Sequence, residues 1–170
     1  MDRRYLLIIV IIIILGTINM FFIAESSDII GSASVSFDGY TVSIPKGFSL
    51  MNTNENSVVI NNPNSNLYIA IYSIDKDYDH KKFLDNINEN NSYKVLSKGT
   101  INIKNVTVDS LYYYGPDSRG NVGNRSIFFF EKLDSKFEIQ MTNFDYNHRE
   151  KTIEALTLIV DSLRDDYKMK

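Results

Sequence analysis

The sequence predicts an α+β fold: a mainly antiparallel sheet packed with two amphipathic helices, preceded by an N-terminal transmembrane helix. Three observations predict this class. Residues 6–23 form an almost unbroken apolar run, short strand-like segments follow one another with brief turns between them, and two segments carry apolar residues at helical spacing. Because strands joined by short turns must be antiparallel, these strands define the sheet, and two amphipathic helices can cover it.

The apolar run from Leu6 to Ile23 is 18 residues long, close to the roughly 20 residues needed to cross a bilayer core. Arg3 and Arg4 precede it, and such basic residues stay on the cytoplasmic side. We therefore expect a single-pass signal-anchor over residues 1–24 in the cell membrane, with the C-terminal domain outside the cytoplasm. A cleaved signal peptide is the alternative, although its apolar region usually spans only about 7–15 residues.

The remaining chain is expected to comprise a linker (25–32), one domain (33–164) and a tail (165–170). The whole chain has a net charge of −3, with acidic and basic residues interspersed, so no basic stripe exists for nucleic acid. It contains no cysteine, which excludes disulfides, thiolate metal sites and thiol nucleophiles. Its two histidines are too few for a histidine-rich metal centre. No cofactor is predicted.

A hairpin opens the predicted domain. The strands Ala33–Phe37 and Tyr40–Ile44 are joined by Asp38-Gly39, a dipeptide that favours a tight hairpin turn. Pro45 ends the second strand because it lacks a backbone donor.

A short strand, Val58–Ile60, and a stronger one, Leu67–Ile74, come next. The second is apolar on both faces, which predicts a central position in the sheet. Residues 75–90 then predict a helix, with Asp79 as the candidate N-cap residue.

The second half of the domain contains consecutive strands followed by a helix. The predicted strands are Tyr93–Gly99, Ile101–Ile103, Thr107–Tyr114, Ser126–Phe130 and Phe137–Met141. Asn147 and Glu150 resemble a capping box at the start of the closing helix. Its apolar stripe comprises Ile153, Leu156, Ile159, Val160 and Leu163.

Two short segments carry a resemblance to a known family. The opening segment Gly39–Phe48 (GYTVSIPKGF) and the closing segment Thr152–Leu163 (TIEALTLIVDSL) are similar to the first strand and last helix of the PsbP-like fold. The resemblance extends over roughly Ala33 to Arg164 and implies the α+β shape of that family. It also implies a binding or assembly role, since most members are non-catalytic, but it assigns no functional residues because fold does not imply chemistry.

The segment from Gly115 to Asn124 is the candidate partner-contact loop. It contains three glycines but lacks the Lys-Ser/Thr ending of a phosphate-binding loop and leads into a strand. Long loops carry function more often than short ones. The candidate contact residues are Gly115, Asp117, Arg119, Gly120 and Asn121.

A calcium loop is suggested by the spacing of Asp75, Asp77 and Asp79. The complete motif requires Gly at the sixth position and Glu at the twelfth, where this chain has His80 and Asn86. A solvated turn capping the next helix is the favoured interpretation, and no metal site is predicted.

Catalytic patterns are weak. Ser126, Asp145 and His148 could be imagined as a triad, but no Gly-x-Ser-x-Gly elbow surrounds any serine, and both histidines are expected at polar surface positions. An envelope hydrolase would need converging carboxylates, for which Glu138 and Asp109 are the acids able to point inward. We predict no catalytic activity.

The aromatic runs Tyr112–Tyr114 and Phe128–Phe130 place rings on both faces of two strands. One face belongs to the core, and the other is expected to be buried under a helix, with an exposed binding patch as the alternative.

These observations predict a membrane-anchored extracytoplasmic binding or assembly module. Its expected partners are the membrane, through the N-terminal helix, and an envelope protein, but not nucleic acid. The alternative is a carrier or sensor of a small apolar ligand, which would require a pocket lined but not filled by Tyr and Phe side chains.

Overall fold

The computed structural model describes residues 33–64, 67–117, 120–142 and 149–166. Within these ranges the chain forms ten strands and two helices. In order they are β1 (Ser34–Phe37), β2 (Tyr40–Ser43), β3 (Ser49–Asn54), β4 (Ser57–Asn62), β5 (Leu67–Ile74), α1 (His80–Glu89), β6 (Lys94–Ile103), β7 (Val106–Pro116), β8 (Val122–Lys132), β9 (Ser135–Thr142), α2 (Arg149–Ser162) and β10 (Arg164–Asp165).

Seven of these strands form one sheet with the order β3-β4-β5-β9-β8-β7-β6, and the other three form a small sheet with the order β1-β2-β10. Every strand pair is antiparallel. The mainly antiparallel sheet and the two accompanying helices of the predicted fold class are therefore confirmed. Strand β5 lies between β4 and β9, in the interior of the sheet, as its apolar character on both faces predicted.

Turn residues explain the first hairpin. Asp38 and Gly39 have φ angles of 47° and 75°, which places both in the left-handed region that a tight hairpin turn between twisted strands requires. The predicted Asp-Gly turn is thus confirmed, and it sets β1 against β2 with Phe37 opposite Tyr40.

The two helices cover opposite faces of the large sheet. Asp79 Oδ1 accepts a hydrogen bond from the Lys82 backbone nitrogen at 3.0 Å, confirming the predicted N-cap of α1. This helix buries Leu84 and Ile87 in a small cluster whose sheet residues are Leu111, Tyr113, Ile127 and Phe129.

The larger core lies on the other face. Helix α2 and the small sheet contribute Leu156, Ile159 and Val42, which are fully or almost fully buried against the central strands. The helix is also joined to β2, because Ser162 Oγ accepts a hydrogen bond from the Ser43 backbone nitrogen at 3.1 Å. The predicted apolar stripe of the closing helix therefore faces the core, while Asn147, its predicted cap, lies outside the described residues.

The sequence missed two strands, β3 and the two-residue β10, and divided another. Strand β3 was not predicted because all six of its residues are exposed, so it lacks the alternation that marks a half-buried strand. Strand β6 continues beyond Gly99 instead of breaking at Thr100, because Thr100 pairs with Asp109 within the β6–β7 ladder.

The predicted fold class is wrong in its N-terminal transmembrane helix. Among the residues that the structure describes, no helix is long and apolar enough to cross a membrane. Helices α1 and α2 are 10 and 14 residues long, below the roughly 20 apolar residues that a span requires. The segment Leu6–Ile23, on which that prediction fell, lies outside the described ranges.

Candidate functional site

The predicted partner-contact loop is the end of the β7–β8 hairpin. Strand β7 reaches Pro116 and β8 begins at Val122, so Gly115 lies in a strand and the connection is shorter than the sequence indicated. Arg119 lies outside the described residues. A Cβ atom on Gly115 would lie 2.4 Å from Cδ1 of Tyr93, so the glycine allows Tyr93 to pack directly over the hairpin backbone.

A buried arginine supports this loop from below. Arg125 is 8% exposed, and its guanidinium donates to the backbone oxygens of Asn121 at 2.7 Å and Gly115 at 3.3 Å. The same group forms an ion pair with Asp117, with an Nη2–Oδ2 distance of 3.3 Å. The positive charge is therefore neutralised while the guanidinium joins both sides of the loop.

The loop closes on itself through Asp117. Its backbone nitrogen donates to Asn121 O at 2.9 Å, and its carbonyl accepts from the Gly120 nitrogen at 3.0 Å. Its carboxylate accepts from the Asn121 backbone nitrogen at 2.8 Å. Gly120 has a φ angle of 82°, which favours glycine. Four of the five predicted contact residues thus belong to one hydrogen-bonded unit, held in place before any partner binds.

Exposed apolar side chains lie beside this unit. Tyr114 is 47% exposed and Val122 is 60% exposed. Because Tyr114 pairs with Asn124 and Pro116 pairs with Val122, the side chains of Tyr114, Pro116 and Val122 lie on one face of the hairpin. We refer to these three residues as the tip patch. The exposed Lys94 lies beside it, opposite Tyr114 in the β6–β7 ladder.

The sequence did not identify the tip patch or its support. The sequence predicts that Val122 lies in a loop, and it indicates no role for Arg125. The available signal was the alternation of Tyr114 and Pro116 continuing across the hairpin to Val122. The other aromatic residues of the two runs are buried: Tyr113 and Phe129 under α1, and Tyr112, Phe128 and Phe130 on the opposite face, confirming the burial that was expected for them.

The two acids considered for hydrolysis lie in one cross-strand row. Asp109 pairs with Phe129, and Phe129 pairs with Glu138, so the two acids are separated by a whole strand, about 9–10 Å between their backbones. The Phe129 ring between them is buried beneath Tyr78 and His80, at centroid distances of 6.2 Å and 5.1 Å. Their carboxylates therefore face different surroundings.

Asp109 is paired with a histidine that the sequence placed at a polar surface position. His80 Nε2 lies 2.8 Å from Asp109 Oδ2, and Thr100 Oγ1 donates to Asp109 Oδ1 at 3.3 Å. The pair borders a cleft of about 240 Å³ that also contains Glu131 and Lys136. The missed signal was the alternation in β7, which puts Asp109 on the same face as Leu111, under the start of α1.

The described residues do not support the other sites that the sequence suggested. Ser126 is buried with its hydroxyl unpartnered, while Asp145 and His148 lie outside the described ranges. Within those ranges no group of three or more metal-binding side chains occurs. Of the three aspartates considered for calcium, Asp79 caps α1 instead.

Glu138 is a buried acid that forms no ion pair with any described residue. It is 8% exposed, and Gln140 Nε2 donates to its Oε1 atom at 2.5 Å. The neighbouring Lys136 points elsewhere, donating to the carbonyls of Lys76 at 2.8 Å and Tyr78 at 3.0 Å. Burial raises the pKa of Glu138, and the hydrogen bond from Gln140 partly opposes this shift.

The Glu138→Gln variant is expected to be more stable than the parent protein at neutral pH, on the order of 1 kcal/mol. Because the folded-state pKa is raised, the carboxyl binds its proton more tightly in the folded protein. The parent should therefore lose stability as the pH rises from the unfolded pKa through the folded one. Urea unfolding in acidic and neutral buffers measures both effects. Glu131→Gln, on the exposed end of β8, is the control, and equal stability of both variants at neutral pH would contradict the expectation.

No protein-family model matches this chain, and no curated protein matches it by sequence. Solved structures do. Cyanobacterial PsbP from Synechocystis sp. PCC 6803 is 16% identical, with a TM-score of 0.46, and the match covers 80% of this chain and 94% of that one. A protein from Bacteroides thetaiotaomicron VPI-5482 is 13% identical, with a TM-score of 0.49 and coverages of 77% and 47%, so this chain spans about half its length.

Protein PA94 from Pseudomonas aeruginosa is also 13% identical, with a TM-score of 0.40 and coverages of 75% and 94%. The resemblance to the PsbP fold that the sequence indicated is thus confirmed, as a weak to moderate one. At such low identities the resemblance concerns the fold alone.

Proposed function

We propose that this protein is a non-catalytic binding or assembly module on the extracytoplasmic side of the cell membrane, where it contacts an envelope protein through the tip patch. This proposed location is supported by the apolar run Leu6–Ile23, which follows Arg3 and Arg4.

The single observation that supports binding most strongly is the set of contacts that Arg125 makes with the loop, which we call the clamp. A buried guanidinium donates to the backbone carbonyls of Gly115 and Asn121 and pairs with the Asp117 carboxylate. Backbone that is already held by hydrogen bonds at Gly115, Asp117 and Asn121 loses little conformational entropy when a partner binds, so more of the contact energy appears as affinity.

The tip patch supplies the contact chemistry. Tyr114 offers a large ring with a polar hydroxyl, and Val122 adds apolar area beside it. Interfaces place such residues at their centre and polar groups around them. Here Lys94, Asn124 and the loop provide the polar rim.

The alternative of a carrier for a small apolar ligand stays a prediction. A carrier would be expected to enclose an apolar cavity. The two clefts described, of about 240 and 220 Å³, mix apolar and ionisable residues: Val106, Phe129 and Phe130 with His80, Asp109, Glu131 and Lys136 in one, and Leu84 with Lys81, Asp85, Lys98 and Asp109 in the other.

The test is cross-linking of intact cells with a membrane-impermeant, amine-reactive reagent, followed by mass spectrometry. Lys94 lies beside the tip patch, so we expect reproducible cross-links from Lys94 to one envelope protein. Val122→Ser should reduce them roughly five- to tenfold, because burying the exposed 60% of the Val122 side chain contributes about 1–1.5 kcal/mol. Met51→Ser is the matched control, since Met51 is similarly exposed (54%) but lies on β3 at the other edge of the sheet.

Two outcomes would contradict the proposal. If the reagent labels Lys94 only after the cells are lysed, the extracytoplasmic address is wrong. If Val122→Ser and Met51→Ser reduce the cross-links equally, the tip patch is not the contact surface.

A further inference from the structure

One half of a sheet face carries tyrosines that keep exposed surface. On the face where α1 packs, the helix lies over β7 and β8, against Leu111 and Phe129. Farther along this face, in β5, Tyr68, Ala70 and Tyr72 are only partly buried. The small Ala70 lies between the two tyrosines on the same face, where its methyl group leaves room between the two larger side chains.

This part of the sheet face continues onto the neighbouring strand, β9. Ala70 pairs with Gln140, and Tyr72 pairs with Glu138. Together Tyr68, Ala70, Tyr72, Glu138 and Gln140 form what we call the tyrosine trough. Its polar side consists of the Glu138 carboxylate and the Gln140 amide on β9, and its β5 side is aromatic or aliphatic.

The carboxylate on the polar side lacks a balancing charge. Of the residues described, no basic side chain forms an ion pair with Glu138. Its Oε1 atom accepts from Gln140. Its Oε2 atom is not enclosed, because Ser126 Oγ is the one fully enclosed side-chain atom without a partner in the described ranges. One acceptor of the carboxylate therefore keeps accessible surface, on a residue that lies beside Tyr72.

We propose that the tyrosine trough binds a lysine side chain of a partner protein, with the ammonium group at Glu138 Oε2 and the aliphatic stem over Ala70 between the two tyrosines. This surface goes beyond the proposed function, which assigns only the tip patch.

The Glu138 carboxylate favours an ammonium group over a guanidinium group as the bound cation. Guanidinium binds carboxylates best through two parallel hydrogen bonds, but Oε1 is already engaged by Gln140. An ammonium group needs a single acceptor. A lysine stem also buries its methylene groups against apolar surface while its charge reaches the polar side, and tyrosine faces attract cations.

The shallow form of the trough favours a protein side chain over a small molecule as the source of the ammonium group. Small-molecule sites are concave and bury most of their ligand, whereas the trough lies on an open sheet face. A side chain presented by a protein draws the rest of its affinity from contacts around it. The carboxylate thus specifies the charge of the partner, and the tyrosines specify the shape of the residue that enters.

The test titrates the purified full chain with n-butylammonium, n-butylguanidinium and n-butanol, and follows the Ala70 methyl signal by NMR. We expect a saturable shift with n-butylammonium, weaker binding of n-butylguanidinium and none of n-butanol. Glu138→Gln should weaken n-butylammonium binding at least tenfold, while Glu131→Gln should leave it unchanged. Since Glu138→Gln is expected to stabilise the fold, a loss of binding could not be attributed to unfolding.

The source is tested in cells with a photo-cross-linking amino acid at Tyr68. We expect cross-linked peptides from one protein that place a lysine at the trough, and loss of these cross-links in Glu138→Gln. Binding of n-butylammonium without such peptides would identify a small amine as the ligand and overturn the protein-partner assignment. No saturable shift, or binding unaffected by Glu138→Gln, would overturn the site. Val122→Ser leaves the trough intact, so a failure of the tip patch is distinguishable from a failure here.

Discussion

Truncation of Phe137 to alanine is expected to lower the free energy of unfolding by about 3–5 kcal/mol. The ring is fully buried in β9, where it stacks on Phe130 at a centroid distance of 5.4 Å. On its other side it meets the ring of Tyr40 edge-on at 5.0 Å. Because Tyr40 belongs to β2, the cavity would open between the small sheet and the large one, where neither sheet can easily collapse into it.

Urea denaturation of the variant measures this loss. Phe137→Leu keeps most of the side-chain volume and should cost clearly less than alanine. Leu50→Ala is the exposed control, because Leu50 retains much of its surface on β3, and it should change stability by no more than about 0.5 kcal/mol. Equal effects of Phe137→Ala and Leu50→Ala would show that the ring does not join the two sheets.

Replacement of Arg125 by alanine is expected to cost about 2–3 kcal/mol and to loosen the end of the β7–β8 hairpin. The change removes the hydrogen bonds to the carbonyls of Gly115 and Asn121 and the ion pair with Asp117. Gly115 is buried, so its carbonyl would lose its side-chain partner in a place that water reaches poorly.

Hydrogen exchange at the Gly120 and Asn121 amides measures the local effect, and urea unfolding measures the global one. Lys98→Ala is the matched control, because Lys98 forms an ion pair with Asp85 at 2.5 Å on the exposed surface, where such pairs contribute little. Arg125→Lys should restore the charge but not the two-sided geometry. Unchanged exchange at both amides in Arg125→Ala would disprove the clamp.

The sequence predicted those elements whose hydrophobic period is complete over their whole length. Strand β9 alternates Phe137, Ile139 and Met141 with polar residues, and these three side chains are buried together in the larger core. Strand β5 is apolar on both faces and lies inside the sheet. The hairpin at Asp38-Gly39 needed nothing beyond local turn chemistry.

The sequence could not predict the contacts between residues that meet only through strand register. His80 and Asp109 are 29 positions apart, and their contact requires α1 to start above the middle of β7. Arg125 reaches its loop because β8 returns beside β7. The row from Asp109 through Phe129 to Glu138 follows from pairing three strands, whereas one-dimensional spacing treats the two acids as unrelated.

Among the described strands, β3 forms one edge of the large sheet and has a neighbour on one side only. Edge strands with open backbone donors and acceptors invite a neighbouring molecule to add another strand, and β3 carries neither lysine nor proline to discourage this. However, its ladder is irregular between Leu50 and Asn52, where Met51 is an extra residue relative to β4. Such a bulge twists the outer rim, so an incoming strand would lose register after only a few residues, and self-association along this rim is disfavoured by geometry rather than by charge.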